Sequence, residues 1–183
     1  MDTSPTEELK QEHTFVLLVV EAMEHEVAHI EAGGAVHTER VAQMMEFTRK
    51  FTDGYHHFKE EQVLFPVLEE RDRGAAGQVS VLLSEHDAGR EAVRGVLDNL
   101  PRADEDQAAC AAVAENLKLY AFLLRMHINK EDTVLFPLAD DLLSDQEAEL
   151  MEQEFARAEQ ESGAGDPERY RALARELADA PAD

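Results

Sequence analysis

The chain has 183 residues, 44% of them hydrophobic, which is enough for one domain or for one domain with an appendage. Its formal net charge of −23 would repel phosphate backbones, so we expect no nucleic-acid partner. No run of about 18 apolar residues occurs, so we expect no membrane span.

Two further features bear on the cellular compartment. Cys110 is the only cysteine, which excludes an internal disulfide and is typical of a reducing cytoplasm. Residues Met1–Pro5 lack the basic and then apolar pattern of a signal peptide. The sequence therefore predicts a cytoplasmic protein.

Hydrophobic periodicity and capping signals predict four long helices. Ser4-Pro5-Thr6-Glu7 has the N-cap, the first-turn proline and the capping-box glutamate of a helix start. The predicted helices are Pro5–Glu31, Thr38–Arg71 with a disturbance near Gly54, a helix through Val81 and Leu97 that ends before Pro101, and Asp104–Leu143.

Two shorter helices are predicted after these four. Ser144–Glu147 is a capping box for one, and Asp166-Pro167 begins the other, which reaches about Asp179. Long helices with short connections favour antiparallel neighbours, so we predict an all-α fold, an up-down-up-down four-helix bundle over residues 1–143. Residues 144–183 would form a helical extension packed on the bundle, because alone they could bury too little surface.

Two stretches of the chain are nearly the same. His56–Pro66 and His127–Pro137 each place histidine ahead of a carboxylate in a helical pattern, and each ends in Leu-Phe-Pro. A histidine and a glutamate four residues apart share a helix face, with Cβ atoms roughly 6 Å apart. That spacing suits two ligands of one metal centre. A lone histidine, His13 or His86, precedes each stretch on the helix before it.

Imidazole and carboxylate groups together suit iron, manganese or zinc. In a bundle, all four helices can point such residues inward at similar depth. Carboxylates that can bridge, with several imidazoles, predict two metal ions about 3.5–4 Å apart. Six side chains cannot fill two octahedra, so positions would stay open for oxygen, peroxide, hydroxide or nitric oxide.

These residues resemble the hemerythrin-like, or HHE cation-binding, proteins, which are four-helix bundles that hold a non-haem di-iron centre. The resemblance rests on Gln11-Glu12-His13, His57–Leu64, Ser84–Asp87 and His127–Asp132, which follow the family's order. It implies two iron ions with an oxo or hydroxo bridge, for which zinc or manganese could substitute. The ligands it implies are His13, His57, Glu61, His86, His127 and Glu131.

The sequence departs from oxygen-carrying hemerythrin on the third helix. Those carriers have two histidines four residues apart, whereas here Arg90 follows His86 at that spacing. The remaining four histidines and two carboxylates resemble a subgroup that includes the iron-sensing domain of an F-box ubiquitin-ligase subunit and bacterial proteins that handle peroxide. The resemblance therefore argues against reversible oxygen carriage.

Two ligand assignments stay open. His56 and Glu60 have the same spacing as His57 and Glu61, and the internal repeat aligns His56 with His127. The family's His-Phe-x-x-Glu-Gln string favours the pair His57 and Glu61. For the last carboxylate, helical geometry favours Glu131 over Asp132, because a five-residue step points about 140° away. Oxygen carriers nevertheless use an aspartate at that step.

Several neighbours of these boxes are expected to be structural. We predict that Lys59, Glu60 and Lys130 lie on a solvated face. Tyr55 would either donate a hydrogen bond near the metal site or, as we favour, mark the start of a helix. Arg90 would pair with Glu12, Glu85 or Asp87 at the surface, or with a partner inside the bundle if it is buried.

The function we expect is that of a non-haem di-iron protein that binds or processes oxygen, peroxide or nitric oxide. Catalase-like or peroxidase-like turnover would use the same centre. The alternatives are an iron or redox sensor that signals through the extension, and an iron storage or repair protein. The sequence does not identify a protein partner.

Overall fold

The computed structural model describes residues 4–179, and every regular element in that range is helical. The α-helices are α1 (Pro5–Glu31), α2 (Thr38–Phe47), α3 (Phe65–Arg71), α4 (Arg73–Asn99), α5 (Gln107–Lys130), α6 (Phe136–Leu142), α7 (Asp145–Glu161) and α8 (Pro167–Asp179). The π-helical segments are π1 (Thr48–His57), π2 (Glu60–Leu64) and π3 (Glu131–Leu135), and a 3₁₀ turn covers Leu100–Arg102. Within residues 4–179, no helix is long and apolar enough to cross a membrane.

The helix boundaries follow local capping chemistry. The Ser4 side chain accepts a hydrogen bond from the backbone of Glu7, and Asp72 and Asp106 cap α4 and α5 in the same way. Ser144 and Glu147 form the predicted capping box of α7. These contacts satisfy amide groups that a helix leaves unpaired in its first turn.

The predicted second and fourth helices are not uniform α-helices. The disturbance expected near Gly54 is the segment π1, and π2 follows it before the chain returns to α-helix at Phe65. The fourth helix carries π3 directly after α5. Short π-helical insertions are rare and often coincide with functional sites. Each histidine–carboxylate box reaches into one of these segments.

Two apolar clusters lie on either side of a polar layer. One contains Val16, Val93 and Leu124, and the other contains Leu9, Leu82 and Leu135. On α1, α4 and α5 a histidine stands in the sequence between a member of one cluster and a member of the other. These histidines are His13, His86 and His127, and each is at most 3% exposed.

The last two helices bury apolar side chains against the rest of the protein. Phe155 of α7 is fully buried in the cluster that contains Leu9. Tyr170 and Leu177 of α8 belong to the cluster that contains Val16, and α8 packs on α1 and α2. Each such side chain stabilises the attachment by about 1.5–3 kcal/mol.

Candidate metal centre

Seven buried side chains form two adjoining groups with metal-ligand geometry. In each group the ligand atoms lie within 4.8 Å of one another, and Glu60 belongs to both. The first group is His13, His56, Glu60 and Glu131. The second group is His57, Glu60, His86 and His127.

The two glutamates lie between the groups. Glu131 places one oxygen 3.3 Å from His13 Nε2 and the other 3.2 Å from His127 Nε2. Glu60 places one oxygen 3.5 Å from His56 Nε2 and the other 3.6 Å from His86 Nε2. Each carboxylate therefore places one oxygen near a histidine of the first group and the other oxygen near a histidine of the second group. A carboxylate that bridges two metal ions has this arrangement.

The same carboxylates lack hydrogen bonds. All four oxygens of Glu60 and Glu131, and both ring nitrogens of His57, have no hydrogen-bond partner among the described residues. Buried polar atoms without partners cost roughly 1–3 kcal/mol each, and more when they are charged. Cations between them would satisfy the four carboxylate oxygens and one ring nitrogen of His57.

Four of the histidines are oriented by a second carboxylate. The Nδ1–H groups of His13, His56, His86 and His127 donate to Asp132, Glu12, Glu61 and Glu85, at 2.8, 2.9, 2.7 and 3.1 Å respectively. The carboxylate accepts from the Nδ1–H group of each ring, so Nε2 is the nitrogen that faces the centre. Metal-binding histidines are held in this way in proteins.

The outer contacts repeat between the two halves of the chain. Glu12 and Glu85 each precede a ligand-type histidine on their own helix, yet each holds a histidine of the following helix. Glu61 and Asp132 each follow a central glutamate, and each holds a histidine of another helix: Glu61 holds His86 of α4, and Asp132 holds His13 of α1. His57 stands outside this symmetry, since its ring stacks on His86 at 3.7 Å and its Nδ1 lies 3.6 Å from Asp53.

The pKa values of the two central glutamates are shifted in opposite directions. Burial, with Glu131 beside it, raises the pKa of Glu60 well above its usual range. Burial would also raise the pKa of Glu131, but His127 and His13 hold it well below its usual value. Burial lowers the pKa of His57 far below normal. The centre therefore favours one ionised carboxylate and a neutral His57 ring, and divalent ions would compensate both carboxylates.

Apolar rings close one side of the centre. Phe136 stacks on His13 at 5.5 Å and Phe65 stacks on His86 at 5.8 Å, and both phenylalanines are at most 1% exposed. They come from the two Leu-Phe-Pro repeats. Those repeats therefore shield the histidines from water besides beginning α3 and α6.

The structure places the sequence-predicted residues as follows. Five of the six candidate ligands, namely His13, His57, His86, His127 and Glu131, lie in the two groups. Glu61 lies outside both groups and binds His86 Nδ1 and Arg90. His56 and Glu60, the alternative pair, lie inside. The internal repeat was the signal that identifies them, because it aligns them with His127 and Glu131.

The predictions for some neighbours were wrong. Lys59 and Glu60 are fully buried instead of solvated. Tyr55 begins no helix but lies buried within π1, and its hydroxyl donates to Glu159 at 2.5 Å. Arg90 binds Asp87, which was one of its expected partners, and it also binds Asp53 and Glu61.

A third group of carboxylates already holds a cation of the protein itself. Lys59 Nζ lies 2.6, 2.5 and 3.1 Å from the carboxylates of Glu8, Glu12 and Glu159. Burial would lower the pKa of Lys59, but these acids raise it above normal. Since Glu12 also holds His56, the lysine anchors one outer ligand contact of the centre.

Comparisons with known proteins give one family. The model of the hemerythrin HHE cation-binding domain matches residues 4–139. Uncharacterized proteins of Mycobacterium tuberculosis and Mycobacterium bovis are 30% identical over 166 residues, 88% of this chain and 64% of theirs. The chain thus spans less than two thirds of the length of these relatives.

A second set of relatives is named for a function. The iron-sulfur cluster repair protein YtfE of Salmonella paratyphi B is 36% identical over 88 residues, which is 46% of this chain and 40% of YtfE. No solved structure matches the chain significantly. Together with the buried histidine and glutamate groups, the family match indicates metal binding.

Proposed function

We propose a function from two premises: the chain belongs to the hemerythrin HHE cation-binding family, and its buried histidines and glutamates form two adjoining groups. The protein holds two iron ions and binds or processes a small oxidant, namely oxygen, peroxide or nitric oxide. The observation that carries the proposal is the pair of carboxylates, Glu60 and Glu131, whose oxygens face both groups without hydrogen bonds.

The ligand set we propose extends the one suggested by the sequence. His13 and His56 would hold one ion, and His57, His86 and His127 would hold the other. Glu60 and Glu131 lie between the two groups and would supply carboxylate oxygens. Glu61 and Asp132 act as outer partners instead of ligands. Nitrogen and oxygen donors without a thiolate suit iron, and zinc and manganese accept the same donors.

Seven side chains leave coordination positions open on two six-coordinate ions. When bound, such an ion pair would supply Lewis-acid and redox chemistry toward a small oxygen species. The contribution of the chain is to fix the imidazoles through Glu12, Glu61, Glu85 and Asp132, and to exclude water on the Leu-Phe-Pro side. Arg90, ion-paired to Glu61, holds the outer partner of His86 in place.

The finer architecture is also part of the proposal. We propose that α1, the α2–α3 stretch, α4 and the α5–α6 stretch form an antiparallel up-down-up-down bundle over the described residues 4–143. The packing of α4 along α5 and of α1 along α5 supports it, as do the short connections. Residues 144–179 form an extension on this bundle.

Metal loading and optical spectroscopy test the proposed function. Protein reconstituted anaerobically with ferrous iron and then desalted should retain two irons per chain. Peroxide should then change the optical spectrum. A stable charge-transfer band without turnover indicates binding, and rapid oxygen evolution indicates a catalase-like enzyme. Retention of less than one iron per chain would refute the proposal.

A repair role is the second candidate, and the likeness to YtfE favours it. In that case the ferrous protein would donate iron to a damaged cluster that has lost iron but kept its sulfide, or to an apo iron-sulfur acceptor supplied with sulfide. Mixing the loaded protein with such an acceptor separates the two functions. Rapid cluster formation, faster than with free ferrous iron at the same concentration, supports repair, and slower formation than with free iron refutes it.

A sensor role has one structural observation in its favour. Glu159 of α7 contacts Lys59 and Tyr55, and Lys59 contacts Glu12, which holds His56. A continuous set of polar contacts therefore links the extension to the centre. Hydrogen exchange of α7 and α8 with and without iron tests this role, and equal protection in both states would argue against it.

A further inference from the structure

A cavity of about 410 Å³ opens beside the second ligand group. His57, His86 and His127 line its inner end. Dioxygen and peroxide are close in size to water, whose share of liquid volume is about 30 Å³. The cavity is therefore about an order of magnitude larger than the oxidant that the centre would take, and it falls in the size range of pockets for organic ligands.

The walls of the cavity are largely apolar. Side chains of α4 and α5 supply them, with the ring of Tyr120 on one side and Leu124 beside it. Gly89 also lines the cavity, and a Cβ atom there would lie 3.4 Å from the Tyr120 ring. The remaining apolar lining residues are Val93, Leu97 and Leu123.

The acidic residues of the lining are already paired. Asp53 accepts a hydrogen bond from Arg90 at 2.8 Å. Glu85 binds Lys130 and His127. Arg90 is itself engaged by Glu61 and Asp87 in addition to Asp53. These residues thus bring no unpaired charge to the cavity.

Two lining arginines are less engaged. The Arg49 side chain makes no hydrogen bond or ion pair with any residue in the range 4–179, and it is exposed. Arg94 is 66% exposed, and its ion-pair partner is Glu91 of the same helix at 3.8 Å. On a chain of net charge −23, two available guanidinium groups at one cavity mouth give that mouth a local preference for anions.

We propose that this cavity binds a small organic anion with an apolar body, an alkyl or aryl carboxylate of about 8–12 non-hydrogen atoms. Its carboxylate pairs with Arg49 and Arg94 at the mouth. Its apolar part lies against Leu124 and the Tyr120 ring and reaches toward His57. Protein side chains alone form the cavity, so the proposal does not depend on the proposed function. If both hold, the apolar end of the anion lies beside the metal centre, in the position of a substrate.

Octanoate is the probe for a direct test. Calorimetric titration should give one saturable site per chain with a Kd between about 10 µM and 1 mM, given typical affinities per ligand atom. Acetate, which has the headgroup alone, should not bind detectably, and octan-1-ol should bind more weakly than octanoate. The titration is made on metal-free protein and on zinc-loaded protein, whose ion is redox-inert.

Variants locate the site. Gly89→Leu fills the cavity and should weaken octanoate at least tenfold, whereas Gly77→Leu on the same helix, where a Cβ meets nothing within 4 Å, should leave the affinity unchanged. Arg49→Gln with Arg94→Gln should weaken octanoate on the order of tenfold, since one exposed ion pair gives at most about a factor of five. Arg73→Gln with Arg157→Gln is the charge-matched control.

The outcomes separate this proposal from the metal centre. Absence of saturable octanoate binding, or equal affinity in the Gly89→Leu variant, overturns it. Binding to the zinc form alone, matched by acetate, shows a carboxylate on the metal and overturns it as well. Should a variant fail to fold, nuclear Overhauser contacts between the octanoate methyl and Leu124 in the unmodified protein decide. Octanoate binding by a protein that retains less than one iron per chain after reconstitution would refute the proposed function and leave the cavity proposal standing.

Discussion

The sharpest test of the ligand set compares two neighbouring glutamates. Metal bound only by the folded state stabilises that state by about 2.7 kcal/mol at 100 times its Kd. Two ions give about 5 kcal/mol by the same relation. For a chain of this size, about 2–4 °C of Tm corresponds to 1 kcal/mol. Metal loading should therefore raise the Tm by about 10–20 °C, with the relations for linkage and for thermal unfolding combined.

Glu60→Gln should remove most of that increment, because Glu60 lies between both groups. Without metal, the variant should be at least as stable as the unmodified protein, since burial already raises the pKa of Glu60 and penalises its charge. Glu61→Gln is the matched control. It loses the ion pair with Arg90, but an amide oxygen can still accept from His86, so at least half of the increment should remain.

Thermal unfolding of apo and zinc-loaded protein, with metal content measured on the same samples, decides between the two positions. Loss of the metal-dependent Tm increment in Glu61→Gln, with its retention in Glu60→Gln, would contradict the assignment of Glu60 as the ligand. In that case the ligand pair would be His57 and Glu61, and the bridging role of Glu60 would be wrong.

Three further predictions concern the surroundings of the centre. Lys59→Met should destabilise the protein by about 3–5 kcal/mol, because it leaves Glu12 buried without its cation, and adding Glu12→Gln should restore part of the loss in urea unfolding. Arg71 and Ser144 lower the pKa of Glu147 to about 2. Ionised Glu147 therefore contributes to the free energy of unfolding above about pH 4.5, and this contribution is lost as the pH falls toward 2. The stability difference between Glu147→Gln and the unmodified protein should vanish over that interval. Deleting residues 144–183 should cost at least about 6 kcal/mol in unfolding free energy, because four large buried side chains are lost, and a truncated chain of unchanged stability would contradict this packing.

The sequence predicted the helices and the approximate position of the centre for simple physical reasons. Caps such as Ser4 and Ser144 act through the adjacent few residues, so they can be recognised locally. His13 and His86 interrupt the apolar stripes of their helices, and a buried imidazole needs partners that only other helices can supply. Both signals depend on residues that lie close together in the sequence.

The choice between His56 and His57 could not be made in that way. An argument from 3.6 residues per turn assumes a regular α-helix, but both residues lie in π1 and Glu60 begins π2. Hydrogen bonds from i to i+5 place more residues in each turn, so neighbouring side chains diverge less. Both histidines can then face the centre, which an α-helical projection forbids.

The histidine that each outer carboxylate holds could not be predicted from the sequence either. Glu12 precedes His13 but holds His56, and Glu85 precedes His86 but holds His127. Such pairings depend on how helices pack, and neighbours in sequence gave no sign of them. The burial of Lys59 was missed for the same reason, because its three carboxylate partners come from α1 and α7.

Anomalous diffraction at the iron edge from iron-loaded crystals tests the central claim most directly. The account predicts two peaks about 3.5–4 Å apart, one near His13 and His56 and the other near His57, His86 and His127, with Glu60 and Glu131 contacting both. A single peak, or a peak whose carboxylate ligand is Glu61, would contradict it.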